Sequence, residues 1–375
     1  MDSDNYKPTQ LPRVTSLNDS DLFIVSIDVG TAPKTRAIEK SNVTNELYNY
    51  LINGGFPLAE RQAPGTLTTI VDKKYGADRW QVSAENSSWQ YQRLDATGIS
   101  GLNSKYYGAW KKITNTGKGI FCQKIEGINC IPLHGKTITF KIKLAASSSK
   151  TIKIALLELQ NAASIDTYPA ALASSFGANT VNPTWGTNVA VIGSVASCSV
   201  TTSISSFYVT GTVPTNSKGV AVAIWTDSQF AANDILYTAE AAVIISSAPH
   251  AWKERLLAEE KILAQRYYEK SYNQDVLPGT ASVAAGNASN VAVLAQYILG
   301  WSFLVSKRIA PAVTIWSYAG TAAKVSLFDS AADTGTVVTA NGIGENAVYY
   351  LADSGSGLTV GKGYSWHWAA EAEIP

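Results

Sequence analysis

The sequence of 375 residues has little charge: only 16% of its residues are Asp, Glu, Lys or Arg, and the formal net charge is +1. Soluble proteins average roughly 25% charged residues, so the surface must be mostly neutral and polar. Lys and Arg never form a run longer than two residues. The positive field that holds nucleic-acid phosphates is therefore missing, and we expect no nucleic-acid partner.

Cysteines and long apolar runs are also scarce. Cys122, Cys130 and Cys198 are too few for a disulfide scaffold, and their spacing matches no zinc-ligand pattern. We interpret them as reduced, partly buried thiols. No 18 apolar residues run together, and the N-terminus lacks the basic and apolar regions of a signal peptide. These absences predict no membrane insertion and folding in a cytoplasm.

Motifs for catalysis are missing as well. His134, His250 and His367 have no partner at metal-ligand spacing, and neither H-E-x-x-H nor G-x-S-x-G occurs. The run GTAPKT (30–35) places Pro33 where a phosphate loop needs its second glycine. We therefore expect no catalytic residue, no metal and no cofactor.

Glycoside hydrolysis is harder to exclude, because it needs only two carboxylates held roughly 5 to 9.5 Å apart on a groove. Nothing in the sequence selects such a pair, so a polysaccharide depolymerase stays an alternative to a non-enzymatic protein. The acids that could meet in space are Glu85, Asp95, Glu126, Glu158, Asp166, Asp227 and Asp234.

The first 62 residues predict a small hairpin–helix unit. LFIVSIDV (22–29) and KTRAIEK (34–40) read as paired strands, and SNVTNELYNYLINGG (41–55) has helical spacing that ends at Gly54. Because a hairpin and one helix cannot build a core, this unit must bury its apolar face elsewhere.

Residues 63–250 contain many short runs of period two between Gly, Pro, Asn and Ser clusters, which is typical of an antiparallel β-sandwich. In TITFKIKL (137–144) this alternation predicts one dry face. Its members are Ile138, Phe140, Ile142 and Leu144.

Residues 251–375 predict a helix followed by a second β-sandwich. Nine of the twenty residues in Ala251–Lys270 are charged, and Trp252, Leu256, Leu263 and Tyr267 would form one stripe of the helix. The predicted fold is thus mostly β: a docking unit (1–62), a jelly-roll-like β-sandwich (63–250), and a linking helix with a C-terminal β-sandwich (251–375).

Aromatic residues are abundant, with ten tryptophans and eighteen tyrosines. Trp89, Tyr91, Trp185 and Trp225 lie in or near polar, loop-like stretches, where a ring could stack on a glycan. Core or rim packing is the alternative. The alternating residues of GYSWHW (363–368) favour a sandwich core or a subunit contact.

Three stretches resemble structural proteins of phage particles. The segment around Asp19–Ile38 (LNDSDLFIVSIDVGTAPKTRAI) resembles the short N-terminal unit by which phage tail and head fibres dock on the virion. Residues 76–247 are similar to the jelly-roll, carbohydrate-binding-like domain of phage fibre proteins. The C-terminal domain of that family is resembled by three stretches: Leu263–Thr280, which contains QRYYEKSY, then KRIAPAVTIWSYAGTAAKV and YSWHWAAEAEI. The family often has a Cys where this chain has Ala264.

The resemblance implies a virion-attached fibre or spike subunit, a homotrimer assembled in the cytoplasm of a host bacterium. It implies contacts with other virion proteins (portal, adaptor, tail or capsid) and with host-surface polysaccharide. A depolymerase tailspike and a purely architectural decoration or collar protein are the alternatives. We expect five residues to contribute to virion docking: Leu22, Ile24, Val43, Leu47 and Leu51.

Overall fold

The structure is a computed structural model. It describes residues 22–27, 34–39 and 48–374, except 64, 71, 86, 115–116, 161–165, 167–171, 177–181, 227–229, 285, 290–291, 295–296, 329–331, 336 and 356–357. The chain divides into two compact units, Met1–Tyr48 and Asn49–Pro375. The predicted divisions at 62/63 and 250/251 both lie within the second unit, and they stay predictions.

The described residues of the first unit include two antiparallel strands, β1 (Leu22–Ile27) and β2 (Lys34–Glu39). Their register places Leu22 opposite Glu39 and Ile27 opposite Lys34. Of the predicted docking residues, Leu22 and Ile24 lie in β1, whereas Val43 and Leu47 lie outside the described residues.

The second unit begins with a β-sandwich whose strands are antiparallel, as predicted. Sheet I has the order β13–β10–β15–β8–β5–β4, sheet II has the order β14–β9–β16–β7–β6–β3, and β11 pairs with β12. A short helix, α1 (Gly127–Cys130), and a 3-10 turn (Ile131–Leu133) connect β8 to β9. The strands are β3 (Thr68–Ile70), β4 (Lys74–Tyr75), β5 (Gln81–Glu85), β6 (Trp89–Asp95), β7 (Tyr106–Lys112), β8 (Lys118–Ile125), β9 (Thr137–Ala146), β10 (Lys150–Leu159), β11 (Ala173–Ser175), β12 (Thr184–Trp185), β13 (Val189–Val200), β14 (Ser205–Thr212), β15 (Gly219–Thr226) and β16 (Ile235–Ile245).

The main core lies between sheets I and II. The alternation predicted for TITFKIKL is confirmed, because the four apolar side chains of β9 are fully buried there. Large aromatic rings also lie in this core, and their burial stabilises the sandwich. The largest of these buried residues are Trp80, Trp89, Trp110, Tyr91 and Phe121.

The segment Asn49–Asn53 is not helical, and the described part of the helix predicted within 41–55 is therefore wrong. The segment instead lies beside β16, where Tyr50 N donates to Val243 O at 2.9 Å. Asn53, with φ 59°, takes a left-handed conformation, whereas Gly54, the predicted end of the helix, does not. Leu51 is fully buried in the main core, so pairing with β16 overrides the helical spacing at that docking candidate.

A second hydrophobic core covers the outer face of sheet I. Side chains of β8, β10 and β15 meet residues of β12 and of the C-terminal region there, so β8 and β15 are buried along their full length. The members of this core include Ile120, Leu157, Ala223, Trp225, Tyr267 and Ile374, with Trp185 packed against it.

The C-terminal region packs around the last strand. β25 pairs with β17, β18, β21 and β22, and a further sheet has the order β19–β20–β24–β23. Tyr364, Trp366 and Trp368 lie in the third hydrophobic core. The elements are α2 (Leu257–Gln265), β17 (Tyr268–Lys270), β18 (Asn287–Ser289), β19 (Ala292–Leu294), β20 (Tyr297–Ser302), β21 (Ala312–Trp316), β22 (Ser326–Leu327), β23 (Val338–Ile343), β24 (Ala347–Asp353) and β25 (Tyr364–Glu371).

The helix predicted over Ala251–Lys270 is wrong at both ends, because only Leu257–Gln265 is helical. Before it, the Arg255 guanidinium donates to Leu51 O at 3.0 Å, which holds that segment extended against the sandwich. After it, Tyr268–Lys270 pairs with β25. Tertiary pairing therefore outweighs the helical charge pattern.

The run QRYYEKSY (265–272) joins the sandwich to the C-terminal strands. Arg266 and Tyr267 both donate to the Glu126 carboxylate, at 2.6 and 2.7 Å. Lys270 pairs with Glu60 at 2.7 Å, and the Tyr272 ring stacks on His367 with centroids 3.9 Å apart. The most specific of the resembling motifs thus supplies contacts between two parts of one compact unit.

Candidate functional site

Three of the four predicted glycan-contact residues have almost no exposed surface. Trp89 and Tyr91 are fully buried in the main core, where Trp89 meets Phe121 edge-on at 5.0 Å and Tyr91 lies 4.5 Å from Trp110. Trp225 is 1% exposed in the second core. A sugar could reach Trp89 and Tyr91 only if the main core opened, and Trp225 only if the second core opened.

Trp185, the fourth candidate, is partly exposed in β12. Its ring packs edge-on against Trp225 at 5.3 Å. The Trp185 ring therefore helps to cover the outer face of sheet I, and only its exposed side could contact a ligand.

The outer face of sheet II is different, because it carries an open groove of about 500 Å³. We call it the tyrosine groove. It lies where the β6–β7 loop and the β13–β14 turn meet the ends of β7, β9 and β16. Its lining consists of Ile99, Ser100, Leu102, Tyr107, Ala145, Thr202, Ser203, Ile204 and Tyr237.

Two tyrosine rings form the aromatic part of the tyrosine groove. Tyr237 lies opposite Ala109 on β7 and opposite Ala145 on β9, so small residues flank it on both sides. Tyr107 lies two residues before Ala109 in β7, so the two side chains are on the same face of the sheet. The centroids of the Tyr107 and Tyr237 rings are 5.9 Å apart, and the ring planes are inclined by 60°. Both side chains are partly exposed.

A buried carboxylate holds the loop that borders the groove. Glu240 lies at a bulge of β16, with φ 49°, and its Oε1 accepts hydrogen bonds from Asn103 N and Ser104 N. Its Oε2 pairs with Lys143 Nζ at 2.7 Å, and Lys143 also donates to Gly101 O. Glu240 and Lys143 therefore hold the β6–β7 loop in place, and their opposite charges neutralise each other.

The polar groups of the lining are neutral. Ser100, Thr202 and Ser203 are exposed. In the part of the chain that the structure describes, their hydroxyls make no hydrogen bond to another protein group, so they are open to a ligand. Partial burial, reinforced by Tyr237, raises the pKa of Tyr107. Its hydroxyl therefore stays protonated at neutral pH and can donate to a ligand.

The candidate acids for hydrolysis have structural partners. Glu126 binds Arg266 and Tyr267, Asp234 binds Lys150, and Glu158 accepts from Gln160. Backbone amides donate to the rest: Phe176 N to Glu85, Thr97 N to Asp95, and Gly127 N to Asp166. Asp227 lies outside the described residues, and none of the nine lining residues of the tyrosine groove is an acid.

Metal and thiol chemistry find little support among the described residues. No group of three or more His, Cys, Asp or Glu side chains there is placed to hold a metal ion. The three cysteines are free and buried, and burial raises the pKa of Cys122 to about 11 and that of Cys198 to about 12, which leaves both thiols protonated. No helix in this part of the chain is long and apolar enough to span a membrane.

Three residues of the site, Tyr107, Tyr237 and Glu240, are not among those predicted from the sequence. A weak signal existed for Glu240, since it is the single charged residue in the apolar strand ILYTAEAAVII (235–245). Tyr107 and Tyr237 are separated by 130 residues of sequence, and only the pairing of β7 with β16 brings them together.

No protein-family profile matches the chain, and no curated protein matches it. Among solved structures, the carbohydrate-binding module TmCBM61 in complex with β-1,4-galactotriose is 11% identical with a TM-score of 0.32, covering 53% of this chain and 99% of that one. The C-terminal family 22 carbohydrate-binding module of Clostridium thermocellum Xyn10B is 10% identical (TM-score 0.29; 50% and 97% covered). The enzymatically active domain of bacteriophage CBA120 tailspike protein 4 is 7% identical (TM-score 0.30; 53% and 21% covered). At these identities and TM-scores, the comparisons assign neither a family nor a ligand.

Proposed function

We propose that this protein binds glycans in the tyrosine groove without cleaving them, as a fibre or spike subunit of a phage particle. The observation that carries the binding proposal is the Tyr107–Tyr237 pair in an open groove. Sugar rings have apolar faces that stack on aromatic side chains and a rim of hydroxyls that hydrogen-bond to neutral polar groups. The groove offers both, from two tyrosines and three exposed hydroxyl side chains.

The non-enzymatic part of the proposal follows from the carboxylates. Cleavage needs an acid and a second carboxylate beside the bound glycosidic bond. The lining residues contain none, and the exposed Asp95, which precedes the β6–β7 loop, has its pKa lowered by hydrogen bonds from Thr97. A general acid needs the opposite, a raised pKa.

The virion part of the proposal is supported by the resemblance of Asp19–Ile38, residues 76–247 and QRYYEKSY to phage fibre proteins. A low-charge surface and paired β-sheets suit subunits that pack around a symmetry axis. In this proposal the host glycan is the receptor, and the protein forms a homotrimer with its first unit attached to the particle.

Binding is tested by replacing the two rings. We expect Tyr107→Ala and Tyr237→Ala each to weaken binding of a host-surface oligosaccharide by roughly tenfold, because each removes a stacking surface. Titration calorimetry of the full chain provides the measurement.

Tyr208→Ala is the matched control. Tyr208 is 51% exposed on β14 of the same sheet, four residues beyond Ile204 and thus about 13 Å along the strand. Its removal should leave the affinity unchanged. Equal losses in all three variants, or no saccharide binding by the wild-type chain, would contradict the proposed site, and Trp185→Ala tests the remaining exposed candidate.

Two further measurements test the rest of the proposal. Prolonged incubation with the bound polysaccharide should release no new reducing ends, whereas their appearance would favour the depolymerase alternative. Antibody labelling of intact particles viewed by electron microscopy should place the protein on a fibre or spike. If the antibody labels the particles but the purified protein binds no glycan, the architectural alternative would be favoured.

A further inference from the structure

The groove that we propose as the glycan site carries a second feature, its aliphatic wall. Ile99 and Leu102 come from the β6–β7 loop, Ile204 from the β13–β14 turn, and Ala145 from β9. Ile99 is 37% exposed, so its side chain is open to solvent in the unliganded protein. Leu102 and Ile204 are partly exposed and Ala145 is buried. Partly exposed aliphatic groups at a groove gain free energy when a ligand covers them.

The wall is shaped by the contact of the two loops. A methyl group added at Gly101 would lie 3.2 Å from Ile204 Cγ2, so the two loops touch at this point. Gly101 also has φ 85°, a conformation that favours glycine. The Glu240 network fixes the same loop through Asn103 and Ser104. The aliphatic side chains therefore occupy defined positions before any ligand arrives.

Two pairs of opposite charge lie beside the groove. Lys143 is neutralised by Glu240. The pKa of the exposed Asp95 is lowered by hydrogen bonds from Thr97 and, to a smaller extent, by the nearby cation of Lys105. None of the nine lining residues is Asp, Glu, Lys, Arg or His. The groove thus provides no net cation that would select an acidic sugar, and its wall would leave a ligand carboxylate poorly solvated.

We infer that the tyrosine groove selects an uncharged sugar residue that carries a methyl group. This inference rests on the proposed glycan binding and names the class of ligand. Two kinds of sugar share this chemistry: a 6-deoxyhexose, whose methyl replaces the hydroxymethyl group, and an N-acetylhexosamine. In both, the methyl would cover the aliphatic wall while the ring stacks on Tyr107 or Tyr237.

The test compares four oligosaccharides of equal length by titration calorimetry: a neutral glucan, a 6-deoxyhexose oligomer, an N-acetylhexosamine oligomer and an oligouronate. Burial of one methyl group predicts about fourfold tighter binding of the preferred methyl-bearing oligomer than of the glucan. Which of the two binds tighter identifies the source of the methyl. The affinity should not change with salt concentration, because no charge pair forms.

Ile99→Thr provides the decisive variant, and Ile113→Thr is its matched control. Both isoleucines are 37% exposed, and Ile113 does not line the groove. Ile99→Thr should reduce the preference for the methyl-bearing sugar to less than twofold while the glucan affinity persists, and Ile113→Thr should change neither.

Tightest binding of the oligouronate, or a preference that survives Ile99→Thr, would overturn the inference. The proposed function would remain intact if Tyr107→Ala still weakens binding by roughly tenfold. Failure of all four saccharides to bind would overturn the proposed function itself.

Discussion

The two outer faces of the sandwich differ in exposure to solvent: one is covered by other parts of the chain and the other is open. The outer face of sheet I lies beneath a second hydrophobic core, where Trp225, Tyr267 and Ile374 exclude water. The outer face of sheet II carries lysines and partly exposed tyrosines, and its hollow part is the tyrosine groove. Both sheets have six antiparallel strands, so the difference arises from what the rest of the chain places on them.

This difference teaches that an aromatic residue near a polar loop has no fixed role. Trp225 and Tyr237 both occur in apolar strands bounded by polar turns, yet one is 1% exposed beneath a cover and the other lines an open groove. The cover of sheet I comes from residues far along the chain, including Tyr267 and Ile374. Where such a cover is present, aromatic rings stabilise the fold, and where it is absent they are available to a ligand.

The largest expected effect is on the covered face. Trp225→Ala removes a ring that packs on Trp185 and should lower the free energy of unfolding by about 3–5 kcal/mol. Tyr208→Ala, on the open face, should change it by less than about 0.5 kcal/mol. Urea unfolding monitored by circular dichroism measures both. Similar losses in the two variants would remove the distinction between the faces.

A smaller effect is expected at the network that supports the groove. Glu240→Ala removes the acceptor of Asn103 N and Ser104 N and leaves Lys143 without its carboxylate. We expect a loss of about 1–3 kcal/mol in stability, because the buried Ser104 N–H and the largely buried Lys143 ammonium lose their acceptor. Hydrogen exchange of residues 99–104 should accelerate more than exchange in β10, and uniform acceleration would contradict a local supporting role.

A third effect concerns pH and the cover of sheet I. Burial would raise the pKa of Glu126, but hydrogen bonds from Arg266 and Tyr267 outweigh it and hold that pKa below the ordinary 4.5. The folded state therefore binds this proton less readily than the unfolded state. The stabilisation is present above about pH 4.5 and is lost as the pH falls through the lowered pKa of the folded protein.

The measurement is the difference in melting temperature between the wild type and Glu126→Gln from pH 7 to pH 3. Burial raises the pKa of Asp78 to about 6, and its protonation acts in the opposite direction, so only the difference curve isolates Glu126. We expect the difference to shrink as the pH falls. A constant difference would mean that the charge of Glu126 contributes nothing.

The smallest effect on stability is expected in the tyrosine groove itself. Tyr107→Phe keeps the ring and removes one partly exposed hydroxyl that makes no hydrogen bond among the described residues, so the free energy of unfolding should stay within about 0.5 kcal/mol of the wild-type value. Glycan affinity should fall only if that hydroxyl contacts the sugar. A large loss of stability would mean that Tyr107 is part of the core.

The sequence predicts the sandwich well, because each strand that faces water on one side reveals itself by alternation, as β9 does. It predicts Leu51 and the ends of α2 poorly, since pairing with β16 and β25 decides those backbones. The groove was not predictable by spacing. Its lining residues are spread from position 99 to position 237, and the register of β7, β9, β14 and β16 brings them together.

The most direct test of the contrast between the two faces is to map a bound oligosaccharide by nuclear magnetic resonance. Titration should perturb the signals of Ser100, Tyr107, Ile204 and Tyr237 and leave the indole signals of Trp185 and Trp225 unchanged. Perturbation centred on Trp185, with the signals of the tyrosine groove unchanged, would contradict the account.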